Sequence, residues 1–265
     1  MPRIPSPEIM NYYHHPKYYD LSYSHDMQDE LAFLKRIFSR VDGHHPRLLE
    51  PACGTGRLLV PLARAGFRCT GFDINPVAID YLNKKLERNA LQARCFTGDM
   101  HSVTMRQAGF DAAYCTVDTF RHLLSDRAAI GHLQCVSRAL SVNGIYVLGL
   151  HVVPRRGTQK TSFRWQGARG RLRVHTTITV MDVDTRRRAE TLGYTLRVKT
   201  PSSTRSYRSV YKLRTYTLDQ FKRIVTAARG FEIMEIYDVN EGYSGPVIPD
   251  ANSENLMFIL GKQAS

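Results

Sequence analysis

Between residues 47 and 150, short apolar runs alternate with amphipathic stretches of helical period. The runs 47–52, 67–72, 92–97, 110–116 and 144–150 predict strands, and 57–65, 76–89 and 126–140 predict the helices between them. That alternation implies a parallel sheet with helices on both faces, and His101 to Gly109 reads as a short irregular crossover. After His151 the period changes to two. Arg171, Arg173 and His175 alternate with Leu172, Val174 and Thr176 in a run reaching Asp184, and the runs 189–200 and 206–213 behave alike. Charged residues on one face of such runs predict antiparallel strands with one face in water. Thr217 then reads as the N-cap of a helix whose apolar stripe is Leu218, Phe221, Ile224 and Val225, with Gly230 at its end. Two further strands, 231–237 and 256–260, flank an excursion of glycine and proline from Gly242 to Asn252. Ahead of all this, five tyrosines (Tyr12, Tyr13, Tyr18, Tyr19, Tyr23) lead into a helical pattern from about Asp26, with Leu31, Leu34, Ile37 and Phe38 on one face.

The pattern divides the chain into an N-terminal helical segment, 1–45, a core made of 46–152 and 215–265, and an antiparallel β insertion, 153–214. Charge sharpens that division. The net charge is +13, and between Arg155 and Arg214 sixteen Lys or Arg face three acids, Asp182, Asp184 and Glu190. The other residues carry as many acids as bases, so the whole excess belongs to the insertion. No window is apolar enough to span a membrane, and Met1 to Met10 lacks the apolar core of a signal peptide, so a cytoplasmic protein is expected. The five cysteines, at 53, 69, 95, 115 and 135, form no CxxC pair, and four of them fall in or at the ends of parallel strands; neither disulfides nor a metal site is expected.

The densest chemistry lies in Leu48-Leu49-Glu50-Pro51-Ala52-Cys53-Gly54-Thr55-Gly56, followed by Gly71-Phe72-Asp73 and by Gly98-Asp99-Met100. A strand ending in small residues before a helix lets a ligand lie against bare backbone and its N–H groups. Asp73, at the end of the next strand, is placed to accept hydrogen bonds from a ribose diol. A dinucleotide fingerprint needs GxGxxG, but Ala52 and Arg57 stand where its first and third glycines belong.

The ExAxGxG form resembles the class I S-adenosylmethionine-dependent methyltransferases, and the resemblance extends over most of the chain, including Tyr216-Thr217-Leu218 and Gly230-Phe231-Glu232 near its end. It implies a Rossmann-like seven-stranded mixed sheet, with the insertion between strand five and the last helix on the substrate side, as in members that methylate small molecules. It also implies cofactor-binding roles. Ala52, Cys53, Gly54 and Gly56 cradle the methionine part, Glu50 lies beside its amino group, Arg57 near its carboxylate, and Asp73 with Ile74 at the ribose. Gly98, Asp99 and Met100 form the adenine site, and Cys115 borders the cleft. Tyr18-Tyr19-Asp20-Leu21-Ser22-Tyr23 resembles the N-terminal lid of sugar-amine and glycine N-methyltransferases, in which such tyrosines close over the methionine moiety.

Methyl transfer from a sulfonium needs alignment and exclusion of water more than acid–base chemistry. In the loop after strand four, Asp118-Thr119-Phe120-Arg121-His122, His122 is the first candidate for base or substrate orienter, and His151, ending strand five, is the second. Asp118, Arg121, Tyr23 and Trp165 are expected on the acceptor. The same residues have plainer readings: a histidine capping the next helix, aromatics packing a helix end on the sheet, and Arg57 pairing with Asp20 or another acid. The basic insertion reads as a solvated face, an anionic-substrate site or a nucleic-acid surface. A small-molecule acceptor methylated on nitrogen or oxygen is expected; RNA docked on the insertion, and a non-catalytic cofactor-binding scaffold, are the alternatives.

Overall fold

A computed structural model describes residues 8–9, 14–23, 27–41, 45–105, 108–154 and 161–263. Tyr12, Tyr13, Asp26, Arg155, Arg156, Lys160 and most of Met1 to Met10 lie outside them.

Seven strands make the central sheet: β2 (Arg47–Pro51), β3 (Arg68–Asp73), β4 (Ala93–Thr97), β5 (Phe110–Cys115), β6 (Leu140–His151), β11 (Phe231–Asp238) and β12 (Asn255–Lys262). Their order is β11-β12-β6-β5-β2-β3-β4, with β12 antiparallel to its neighbours and the central pairs parallel. Chain order reverses between β2 and β5, and the loops after those strands open there into a crevice.

Helices cover both faces. On one, α2 (Gln28–Phe38), α3 (Leu59–Arg64) and α4 (Pro76–Arg88) bury Phe33, Leu34, Ile37, Leu59, Ile79 and Leu82 against Leu48, Tyr114 and Val147. On the other, α5 (Asp126–Ala139) and α6 (Leu218–Ala228) pack Leu133, Val136, Phe221 and Ile224 on Leu49, Leu148 and Phe258. Polar starts fix these helices. Asn75 caps α4 through Val77 and Ala78, Ser125 caps α5 through Ala128, and Thr217 and Gln220 form a reciprocal capping box on α6.

The insertion contains four antiparallel strands, β7 (Ser162–Arg169), β8 (Leu172–Asp184), β9 (Ala189–Lys199) and β10 (Thr204–Arg214), where the period predicts three. β7 escapes the pattern because, as an edge strand, it buries only Gly167 outright. A two-residue strand, β1 (Glu8–Ile9), pairs in parallel with β10, so the N-terminal segment joins the inserted sheet instead of standing apart as a helical unit. Helix α1 (Pro16–Tyr23) lies across the sheet's inner face, with Leu21 among Val174, Tyr194, Leu196 and Tyr207. Gly167 permits the approach: a Cβ there would stand 2.0 Å from the Leu21 carbonyl oxygen.

Two boundaries differ from the sequence expectation. The strand expected from residue 144 begins earlier, at Leu140, which already pairs with Phe110 before a register shift brings Ile145 opposite Ala112, with Asn143 at φ +65°. The helix expected from residue 57 begins at Leu59, so residues 54–58 are turns and the loop is not itself a helix N-terminus.

Candidate active site

The loop leaving β2 takes a left-handed path at three residues, Ala52 (φ +55°), Gly54 (φ +52°) and Gly56 (φ +74°). The two glycines serve different ends. A Cβ on Gly56 would stand 2.3 Å from Leu82 Cδ1, so this glycine lets α4 pack beneath the loop. A Cβ on Gly54 would meet only Asp73 Oδ2 and Tyr19 Cε1, both at 3.9 Å, so here bare backbone floors a slot between a carboxylate and an aromatic ring.

Asp73 is held at the tip of β3 by two backbone donors, Gly54 N–H to Oδ2 at 2.9 Å and Asn75 N–H to Oδ1 at 2.8 Å. Burial nevertheless pushes its carboxyl above the usual carboxylate range. Each of its oxygens keeps a further lone pair.

Beside this lies a cavity of about 470 Å³ lined by Ala52, Ile74, Gly98, Asp99, Met100 and, at its far wall, His122. Asp99 Oδ1 accepts from His101 N–H at 3.1 Å and lies 2.9 Å from its Nδ1. The loop is fastened from below by a residue absent from the sequence reading. His132, fully buried in α5, places Nδ1 2.9 Å from the Met100 carbonyl and Nε2 2.7 Å from the Tyr146 hydroxyl. Only one tautomer satisfies both partners: Nδ1–H donates to the carbonyl and Nε2 accepts from tyrosine. Burial pushes this imidazole down to about 4, so it is neutral at pH 7.

A second cavity, of about 680 Å³, lies between the ends of β5 and β6 and the inner face of the inserted sheet. It gathers Tyr19, Tyr23, Asp118, Arg121, His122, His151 and Trp165, which are scattered over 147 positions of the sequence. Phe163, Tyr211, Glu190, Glu254 and Asn255 also line it and were not singled out for it.

Asp118 adopts a left-handed conformation at φ +51° and ties the site together. Its Oδ1 accepts the His151 N–H at 2.7 Å and its Oδ2 accepts from Arg121 at 3.1 Å. Arg121 is 3% exposed and fully committed: Nε to the Arg214 carbonyl, one terminal nitrogen to Asp118, the other to Glu190. It therefore locks the inserted sheet to the loop after β5, with each of its three nitrogens already engaged by protein. His151 Nδ1 lies 3.0 Å from Asn255 Oδ1. His122 borders both cavities and stacks on Tyr211, with 5.7 Å between centroids. His122 is exposed to solvent, yet desolvation by the protein around it lowers its pKa. It is therefore neutral at pH 7 and can accept a proton.

The α1 tyrosines roof the meeting point. Tyr19 and Tyr23 are 4.6 Å apart by ring centroid, and Tyr23 meets Trp165 edge-on at 5.5 Å. The roof is anchored by buried Asp20, which accepts from Lys85 at 2.7 Å and Tyr81 at 3.1 Å, and by Trp165 Nε1–H donating to the Ser22 carbonyl at 2.8 Å.

The remaining candidates lie outside both cavities. Glu50 is buried under the loop, receives the Tyr114 hydroxyl at 3.0 Å, and is pushed well above the carboxylate range by burial. Cys53 points inward and spends its N–H on the Phe72 carbonyl, while Cys115 is buried at the end of β5 with its thiol pushed up to about 12. Arg57 pairs with Glu30 of α2 through both terminal nitrogens, at 2.6 and 2.9 Å, and Asp20, its other suggested partner, belongs to Lys85. All five cysteines are free, and no cluster of metal-ligating side chains occurs among the described residues.

A family model described as a methyltransferase domain matches residues 48–144, the stretch from β2 into β6 that carries the loop, Asp73 and Asp99. YqeM of Bacillus subtilis, which bears a methyltransferase name, is 29% identical over 105 residues, 40% of this chain and 42% of its own length. The chain thus spans less than half of the curated relatives it matches. Likeness of fold extends further. DesVI of Streptomyces venezuelae superposes with a TM-score of 0.74 at 18% identity, covering 92% of this chain and 97% of its own. CalS10 of Micromonospora echinaspora, an amino pentose methyltransferase with S-adenosylmethionine bound, gives 0.72 at 17% identity, covering 97% of this chain and all of its own.

Proposed function

We propose that this chain, whose residues 48–144 form a methyltransferase domain, is an S-adenosylmethionine-dependent enzyme that methylates an amine nitrogen of a small molecule. The observation that carries the reading is the junction at His122 of a cavity of about 470 Å³ beside the glycine loop and one of about 680 Å³ under the inserted sheet.

The slot fits the cofactor on its own terms. Gly54 offers bare backbone where a side chain would project, and Asp73 offers acceptor lone pairs beside it. Asp73 would hold the ribose hydroxyls, Asp99 and Met100 the adenine, and Tyr19 would close over the methionine end. Bound there, S-adenosylmethionine supplies a methyl group activated by its sulfonium charge.

The chain's part is to bind, orient and dry the acceptor. Tyr19, Tyr23, Phe163, Trp165 and Tyr211 line its cavity with ring surface, which favours a cationic or amphipathic guest. Asp118 and Glu254 add negative charge, and the buried charges Arg121 and Glu190 cancel each other. Such a wall attracts an ammonium ion, whereas an anion would find no spare cation on it. An ammonium must lose a proton before its lone pair can attack. His122, neutral and bordering both cavities, accepts that proton at an imidazole nitrogen, and His151, held by Asp118 and Asn255, orients the acceptor. The small-molecule acceptor is supported by the size of the cavity, about 680 Å³, and by the similarity of fold to CalS10.

The test is turnover with methyl-labelled cofactor and a panel of amines and alcohols small enough for the larger cavity. Label on nitrogen is expected; turnover confined to alcohols would refute the amine reading.

A further inference from the structure

The positive charge of the insertion does not serve the acceptor cavity. Cross-strand partners share a face, so the register and the burial pattern sort the side chains of β7 to β10 into two sets. Trp165, Val174, Thr176, Val180, Leu192, Tyr194, Leu196, Val198, Tyr207 and Leu213 point inward, toward α1 and the cavity. Arg164, Arg173, Arg197, Lys199, Arg208 and Lys212 point the other way, to water.

On that outer face Arg173 pairs directly with Lys199. Like charges set opposite one another weaken a sheet. Neighbouring strands lie about 4.8 Å apart and same-face residues about 6.8 Å along a strand, within a screening length of each other. No carboxylate relieves the repulsion: the ion pairs of the inserted sheet are made by Arg169, Arg187, Arg188, Arg214 and Glu190 at its ends or on its inner side. Among the described residues Asp182 and Asp184, past the register shift of β8, are the acids of this face, and Asp184 is paired with Arg187. Arg197 also keeps a buried Nε without a hydrogen-bond partner.

Between the cations lie Gln166, Thr177, Thr195 and Ser206, hydrogen-bonding groups of modest size. The exposed apolar residues of this face are two, Met181 and Val210, with Val210 standing between Arg208 and Lys212, so the face lacks the broad apolar centre of a protein–protein interface or an anchor for a bilayer. A second copy would set this face against itself, cation to cation. Guanidinium forks with interleaved hydroxyls and amides suit phosphate diesters.

We infer that the outer face of β7 to β10 binds the phosphate backbone of nucleic acid, as a docking partner and not as the methyl acceptor, because the face is turned away from the cavity. The inference stands apart from the activity proposed above.

The test is fluorescence anisotropy with a mixed-sequence 20-nucleotide RNA and a 20-base-pair DNA across 50–200 mM salt. Phosphatidylserine vesicles and polyglutamate serve as competing anions. Six phosphate contacts predict a log–log salt slope of about −4 on single strands, a loss of roughly 250-fold over that range. Arg173→Gln/Arg197→Gln/Arg208→Gln should halve the slope to about −2, leave S-adenosylhomocysteine binding unchanged, and place no methyl label on RNA in either protein. Should the triple variant fold poorly, each single Arg→Gln change should lower the slope by about 0.7, with Arg→Lys restoring it. Unchanged RNA binding in the variants, a flat salt response, or tighter capture of vesicles or polyglutamate would overturn the inference. So would a change of sedimentation coefficient in the triple variant, which would mark the face as a contact between copies.

Discussion

Removing the Asp73 carboxylate separates cofactor binding from fold stability, because burial penalises its charge in the free protein whereas hydroxyl donors of the cofactor would favour it. In the free protein the carboxylate is bonded to Gly54 and Asn75, yet burial holds its pKa above the ordinary carboxylate value. A raised acid pKa means that ionising Asp73 costs the folded state something, and that part of stability falls as pH rises through the folded pKa. Asp73→Ala relieves this cost while freeing two N–H groups that water in the slot can reach, so the melting temperature should move little. Binding should move far more. Two hydroxyl hydrogen bonds to a charged acceptor are worth about 1.5 kcal/mol each at the low end, or about 3 kcal/mol together. That converts to roughly 150-fold weaker binding. Asp73→Asn should not rescue it: each carboxylate oxygen accepts from a backbone N–H, and an amide offers one acceptor oxygen. Titration calorimetry with S-adenosylmethionine and S-adenosylhomocysteine at pH 7.5, repeated at lower pH, provides the measurement. Wild-type affinity should weaken on acidification at a higher pH than an unperturbed carboxylate would give. Affinity unchanged in Asp73→Ala, with the fold intact, would refute the slot as the ribose site.

The other expectations concern residues around the two cavities. His122→Ala should lower kcat by about 10²-fold or more while leaving S-adenosylhomocysteine affinity within a few fold, and the acid limb of the wild-type kcat profile should lie below the ordinary imidazole value because desolvation lowers its pKa; full turnover in the variant would remove it as the base. His132, pushed down to about 4, binds its proton more readily in the unfolded chain, so about 3 kcal/mol of stability should be lost as pH falls from about 6.5 to about 4. Urea titrations at pH 7.0, 5.5 and 4.5 should show this slope in wild type and a flatter one in His132→Phe; equal slopes would refute it. Gly56→Ala should lower stability by about 2 kcal/mol or more, through the Leu82 clash and a left-handed backbone, whereas Gly54→Ala should cost about 1 kcal/mol and show its main effect in cofactor affinity. Similar melting temperatures for the two variants would contradict the division of labour between these glycines.

Most of the core was legible because its signals are local. A strand announces itself by a short apolar run, a helix by apolar residues every third or fourth position, and a loop by residues such as Ala52, Gly54 and Gly56. The positions of Asp73 and Asp99 at strand ends follow from the same periodicity. The β7 strand was hidden because an exposed edge leaves little hydrophobic pattern, and the N-terminal strand because two residues are too few to have a period.

The sequence by itself determined the alternation of strand and helix, the period-two insertion, the glycine loop and the placing of all excess charge in one segment. Only the tertiary structure decided which partners those charged and polar groups meet. Arg121 finds Glu190 across 69 positions and Arg57 finds Glu30 across 27, so both are engaged within the protein. His132 is drawn onto Met100, and Tyr19 is set against the Gly54 backbone. The direction of the insertion's arginines needed the register and the buried face together, since period two reveals two faces but not which one the rest of the molecule covers. Secondary structure follows from backbone sterics and local burial; ion pairing, cavity walls and the choice of a wet face follow from packing between segments far apart in the chain.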